Sequence, residues 1–310
     1  MGGSGGGGYF GKTSPSEIAR ITREAQEKDR AQGFEGDLAS LLRDQLTNYN
    51  NRDTDTISSI LDDVKQRIQD AIAGSVDLLF GGSIAKHTYL NGLSDVDCLV
   101  LLDRSFSAST PSELKAQFAE ALESKYGANK VWVGTLAVTI EAAGHTIQLL
   151  PAIRAGQSFK ISATDGKGWS RVNPQKFAAK LKTSNEDLSG KLVPTIKLAK
   201  GVLGSLPEGL KPSGYHVESM AINIFRGYHG GMKHQDMLRH FFAEAPNHIL
   251  KPVKDSTGQS VHVDDSLGPA DSPQRQTIAR ALDRINRRIK NADAAQSLSV
   301  WRDVLGSEIE

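Results

Sequence analysis

The stretch from Leu78 to Asp103, LLFGGSIAKHTYLNGLSDVDCLVLLD, constrains the fold of this chain more than any other. An apolar run ends in Gly81-Gly82-Ser83, and a second apolar run, Cys98 to Leu102, is entered through Asp95-Val96-Asp97. Side chains alternate across a strand, so a strand over 95–102 turns Asp95 and Asp97 to one face and Val96 into a core. Two carboxylates on one face repel each other unless a cation lies between them. A hard ion such as Mg²⁺ accepts oxygen ligands from carboxylates and phosphates together. Gly81, Gly82 and Ser83 supply the complement: backbone that a phosphate can approach closely, N–H groups at a helix start, and a hydroxyl. The pattern implies metal-assisted chemistry on a nucleoside triphosphate, with Asp95 and Asp97 as catalytic and metal-holding acids and Gly82 and Ser83 as phosphate contacts.

At 310 residues, 38% of them hydrophobic, the chain can bury a sizeable core as one large or two modest domains. A net charge of +1 gives no general attraction to nucleic acid or acidic membranes, so a polyanion site must be local. No apolar run approaches a membrane span and no signal peptide opens the chain, which predicts a cytoplasmic protein. Cys98 is the sole cysteine, which excludes an internal disulfide and suits a small buried hydrophobe inside its strand.

In chain order, residues 1–13 form a glycine-rich arm carrying Tyr9. Ser14, Pro15 and Glu17 are an N-cap, a first-turn proline and the far end of a capping box, predicting a highly charged helix to about Ala31 that lies on a surface or against a partner subunit. A second helix is expected from Asp37 (Leu38, Leu41, Leu42, Leu46 on one side). A third, from about Asp55 to Gly74, carries Ile57, Ile60, Leu61, Val64, Ile68 and Ile72 at helical spacing and reads as a spine packed on a sheet. A strand over 76–80, a short helix near 84–90, the 95–102 strand, a helix near 112–126, and strands over about 130–141 and 145–151 follow. Helices and strands mix without a regular βαβ repeat, so the expected class is α+β. The segments divide into a tail with a charged helix (1–35), a core sheet with a spine helix (36–172) and a helical second lobe (173–310), with the site in the cleft between the last two.

Gly81-Gly82-Ser83, eleven residues, then Asp95-Val96-Asp97 resembles the signature of the DNA polymerase β-like nucleotidyltransferase superfamily. Gln148-Leu149-Leu150-Pro151-Ala152, Asn173-Pro174 and Ile196-Lys197-Leu198-Ala199-Lys200 resemble its CD-NTase branch, the bacterial relatives of cyclic GMP-AMP synthase and the 2′–5′ oligoadenylate synthases. The resemblance covers scattered pieces from Asp37 to Gly268. It implies a template-independent enzyme that condenses nucleoside triphosphates into a cyclic or linear oligonucleotide signal. Two Mg²⁺ or Mn²⁺ ions, a role in antiphage defence and an effector protein responding to the product are implied with it. It also implies that Lys200, or Lys197 on nearly the same helix face, reaches the triphosphate. Tyr215 would stand against the base, or serve as a packing tyrosine.

The chain departs from the family at one position. Where members commonly place Asp or Glu three residues before a proline, this sequence has Gln148, which can touch a metal but brings neither charge nor a base. Either Asp95 and Asp97 suffice, or another acid such as Glu141 or Asp103 substitutes, or the cleft is a silent nucleotide sensor. A further alternative makes Tyr9 the acceptor, so that the enzyme nucleotidylates itself or primes a chain on protein.

Overall fold

The computed structural model describes residues 15–51, 53–80, 83, 86–90, 96–156, 158–163, 168–255 and 262–306. Tyr9, Gly82 and Asp95 lie outside the described residues, as do the rest of the glycine-rich arm and Ser14.

The sheet is mixed. Its main path runs β1 (Val76–Phe80), β2 (Val96–Leu102), β5 (His145–Ala155), β4 (Val138–Ala142), β3 (Val131–Val133); β6 (Ser158–Ser162) pairs with β5, and β7 (Trp169–Val172) with β6. Strands β2 and β5 are parallel, and every other pair is antiparallel. That is the α+β arrangement expected from the irregular order of elements. One face is sealed by α2 (Thr54–Ile72) and α3 (Pro111–Tyr126). Ile57, Leu61, Val64 and Ile68 of α2 and Leu114, Phe118 and Leu122 of α3 pack there against Val96, Cys98, Val100, Ile147 and Leu149. Burying each such side chain is worth ~2 kcal/mol, so this stripe fixes which face of every strand remains for the cleft. Thr110 and Glu113 close a reciprocal capping box at the start of α3.

The reading of one long strand over 130–141 is corrected: it is a hairpin, β3 and β4, folded at Gly134–Ala137. The turn closes through Gly134 N–H to Ala137 O at 2.8 Å. The buried Lys115 of α3 pins it by donating to Gly134 O (2.8 Å) and Thr135 O (2.6 Å).

The first two predicted helices are also corrected, because α1 (Pro15–Asn50) is a single helix. It continues through Gly33 and Gly36, each costing about 1 kcal/mol in helix propensity. Burial of Phe34, Leu38, Leu42, Leu46 and Tyr49 outweighs that cost. These residues share their core not with the sheet but with α4 (Pro174–Asp187), α5 (Leu192–Gly204), α6 (Gly214–Ile224), α7 (His234–His248), α8 (Pro273–Ala294) and α9 (Leu298–Leu305). Arg239 of α7 bridges Glu35 of α1 (2.8 Å) and Asp293 of α8 (2.7 Å), tying the three helices together. The preceding half of α1, residues 19–30, is exposed.

Between α7 and α8, residues 249–255 and 262–272 gather around one buried cluster. Arg275, 0% exposed, donates to Asp264 Oδ2 at 2.6 Å and to the carbonyls of Ile249, Gly268 and Pro269. The segment His262-Val263-Asp264-Asp265 is therefore a structural anchor.

Candidate active site

Along β2 the burial alternates, with Val96 and Cys98 packed on the helices and Asp97 half-buried on the opposite face. Along β5, Ile147 and Leu149 are buried while Thr146, Gln148 and Leu150 are half-buried. The parallel register makes Asp97 and Gln148 direct partners, and the antiparallel register continues the row through Thr139 to Trp132. Residues paired across a sheet share a face. Asp97, Gln148, Thr139 and Trp132 therefore form one row across the open face.

The row's first two members open into a cavity of about 830 Å³ between the sheet and the helical lobe, at the large end for a small-molecule site. From the sheet side it is lined by Ser83, Lys86, Asp97, Gln148 and by Leu136 of the pinned turn. From the helices it is lined by Lys200, Tyr215 and Glu218. Of the residues expected from sequence, Ser83, Asp97, Gln148, Lys200 and Tyr215 are thus brought together. Lys197 is not: although three residues from Lys200, it is buried and donates to Asn50 Oδ1 at the end of α1.

Neither substitute acid is within ligand reach of Asp97. Glu141 pairs with Thr146 two strands from β2, roughly 10 Å away laterally at the ~4.8 Å strand spacing. Asp103 lies six residues along β2, roughly 20 Å at ~3.3 Å per residue, and caps the next turn by accepting from Arg104 N–H at 3.1 Å.

An acid that sequence reasoning missed occupies the cavity wall. Glu218 of α6, 1% exposed, accepts from Lys86 Nζ, from Thr88 Oγ1 and from Lys200 Nζ (2.7 Å). Burial pushes the Glu218 carboxyl up, and the charges of Lys200 and Lys86 more than reverse this, holding it below its usual value. Lys86 lies 5.0 Å from the centre of the Phe177 ring and 5.2 Å from that of Tyr215. Tyr215 packs edge-on against Phe177 and donates its hydroxyl to Asp255 at 2.8 Å. The sequence signal for Glu218 is a lone carboxylate among Val217, Met220 and Ala221 on an apolar helix, a position that demands a buried cation. Lys86, three residues after Ser83, was the cation to look for.

As a donor set for a metal, Asp97 and Gln148 offer side-chain oxygens from adjacent strands. Hard oxygen donors suit Mg²⁺ or Mn²⁺, so the residues fit such an ion. Among the described residues no group of three or more His, Cys, Asp or Glu side chains forms a metal cluster.

A mixed sheet with a spine helix on one face, an acid and its cross-strand partner on the other, and a cationic helical lobe across the cleft define a polymerase β-like nucleotidyltransferase. Residues 34–185 match the Second Messenger Oligonucleotide or Dinucleotide Synthetase domain, and the chain is a nucleotidyltransferase. The fold recurs in Escherichia coli MS115-1 CdnC with ATP (TM-score 0.63, 15% identity, 82% of this chain and 92% of that one). It recurs in Vibrio cholerae DncV cyclic AMP-GMP synthase (TM-score 0.62, 13% identity, 96% and 92%). Bradyrhizobium diazoefficiens CdnG in complex with GTP shares it as well (TM-score 0.61, 16% identity, 81% and 89%). No curated protein matches the sequence.

Proposed function

We propose that the cleft joins nucleoside triphosphates on the row that Asp97 and Gln148 begin, releasing pyrophosphate with each bond. The acceptor hydroxyl oxygen attacks the α-phosphorus, the bond to the oxygen bridging the α- and β-phosphorus breaks with its electron pair going to the departing pyrophosphate, and the hydroxyl proton passes to solvent. Asp95, Asp97 and Gln148 would hold divalent ions, Mg²⁺ or Mn²⁺ and two by the family's pattern, which when bound supply charge neutralisation and a more acidic hydroxyl. Gly82 and Ser83 would contact the phosphates from the sheet side, and Lys200 and Lys86 from the other. Tyr215 offers ring surface to a base, which stacks with little sequence preference.

The observation that carries this reading is the in-register pairing of Asp97 with Gln148 in one cavity with Lys86 and Lys200. Gln148 keeps an oxygen ligand and loses one negative charge, which lowers metal affinity without removing the site. The product would be a cyclic or linear oligonucleotide made in the cytoplasm, where triphosphates are available, and read by an effector protein in antiphage defence. The exposed first half of α1 offers a surface for a partner; among proteins of this fold, E. coli MS115-1 CdnC forms a complex with HORMA-deltaN. Incubation with ATP, GTP, CTP and UTP, together and singly, with Mg²⁺ or Mn²⁺ tests the proposal. Pyrophosphate and a nuclease-sensitive product that disappear in Asp97→Asn support it; absence of both from the wild-type protein rejects it.

A further inference from the structure

In the cavity wall Glu218 stands against Lys86 and Lys200, and all three line the space in which a polyphosphate would lie. Lys86 and Thr88 come from the β1–β2 connection, whereas Lys200 and Glu218 come from α5 and α6, so every bond in the cluster crosses from sheet to helices except those between Lys200 and Glu218. An ion pair buried in a dry core repays its desolvation only when its geometry is close and its remaining hydrogen bonds are met, so burial alone does not make it structural. This one is placed at the floor of a large open cleft instead. The lysine side chains are 12% and 8% exposed and the glutamate 1%, so the cations face the cavity more than their counter-ion does. Lys86 is held on its other side by the faces of two aromatic rings, a contact that restrains an ammonium group without neutralising it.

We propose that Glu218 is the resident counter-ion of the polyphosphate site, a positioning residue that holds Lys86 and Lys200 in the cleft and yields them to the donor triphosphate. The inference rests on the reading of the cleft given above and extends it. A triphosphate competes with Glu218 for both ammonium groups, brings more negative charge, and leaves the carboxylate its Thr88 hydroxyl bond. Glu218 thereby tempers affinity for the polyphosphate while keeping two buried cations aligned, and the exchange couples nucleotide arrival to contacts across the lobes.

Inorganic tripolyphosphate, which lacks base and sugar, isolates this exchange. Its affinity and its effect on melting temperature are measured by calorimetry and thermal shift on the full chain. Glu218→Gln should melt below wild type without ligand, bind tripolyphosphate tighter by roughly threefold to tenfold, and show the larger ligand-induced shift. Lys86→Met should bind it roughly threefold to tenfold more weakly. A purely structural Glu218 would give unchanged or weaker binding in Glu218→Gln, and that result, or unchanged binding in Lys86→Met, overturns the proposal. If Glu218→Gln does not fold, Glu218→Asp replaces it: the shorter carboxylate withdraws from the two lysines and should bind tripolyphosphate tighter than wild type, and unchanged or weaker binding overturns the proposal. Tripolyphosphate binding needs no catalysis, so a protein that passes these tests yet releases no pyrophosphate would defeat the proposed function separately.

Discussion

Asp97 and Gln148 are paired residues on parallel neighbouring strands, facing the same cavity. An amide beside a carboxylate leaves the site one negative charge short of what a third acid would provide, and under the proposed function that deficit would raise the metal concentration the reaction needs. Gln148→Asp should lower the Mg²⁺ concentration for half-maximal pyrophosphate release by about tenfold, and Gln148→Ala should cost about tenfold or less. Asp97→Asn should cost about 100-fold or more, ~3 kcal/mol of transition-state stabilisation. Metal titrations of the three variants, with circular dichroism to confirm folding, check the order. A Gln148→Asp titration that overlays wild type would show that the amide is not a ligand.

The junction between α1 and α5 allows a sharp packing test. A Cβ added at Gly201 would stand 1.9 Å from Tyr49 Oη, and Tyr49 is only 4% exposed. Gly201→Ala should therefore lower stability by about 1–3 kcal/mol through overpacking, read as a lower urea midpoint at unchanged slope. Tyr49→Phe removes the nearest atom and should recover part of the loss in the double variant.

These two sites show what was legible in the sequence. The alternation Val96-Asp97-Cys98 and the α2 stripe were readable because period and burial agree, and they placed the sheet, its helix-covered face and its cleft face. The Asp97–Gln148 partnership was only half visible: each residue could be assigned to a strand face, but register is a pairing between distant segments. The break expected between Ala31 and Asp37 does not occur, because helix propensity is local while the Phe34 and Leu38 burial that carries α1 through Gly33 and Gly36 depends on the distant helices of the second lobe. Glu218 was half visible: a lone carboxylate on an apolar helix demands a buried cation without saying which one. Its partners Lys86 and Thr88 stand about 130 residues away in sequence, and no helical or strand period connects them.

Cys98 sits on β2 with its side chain on the helix-covered face, opposite the row that Asp97 begins. Burial pushes its thiol up to about 12. The native protein should therefore resist an aromatic disulfide reagent at pH 8 and react with one equivalent only when unfolded, because the thiolate is the nucleophile. Rapid labelling of the folded protein would mean that the β2–α2 layer opens on that timescale.

The anchor at Asp264 makes stability depend on pH. His216 Nε2 lies 3.3 Å from Asp264 Oδ2 with Arg275 on the same carboxylate, and burial draws the His216 imidazole down to about 4. An unfolded histidine titrates near 6.5, so between pH 6.5 and 4 the unfolded chain binds a proton that the folded chain does not, and stability falls as pH falls through that window. The full shift corresponds to an upper bound of about 3 kcal/mol at 1.36 kcal/mol per pH unit. Burial also holds His234 and His248 down, adding loss of the same sign. Asp264, held low by Arg275 despite burial, contributes stability that is lost only below the ordinary aspartate value near 3.9. Urea unfolding at pH 7.5, 6.0 and 5.0 should show this decline, and His216→Gln should flatten it while His234 and His248 keep a residual slope. The comparison uses the change with pH, so it stands whatever His216→Gln costs at pH 7.5. An unaltered slope would place the proton uptake elsewhere.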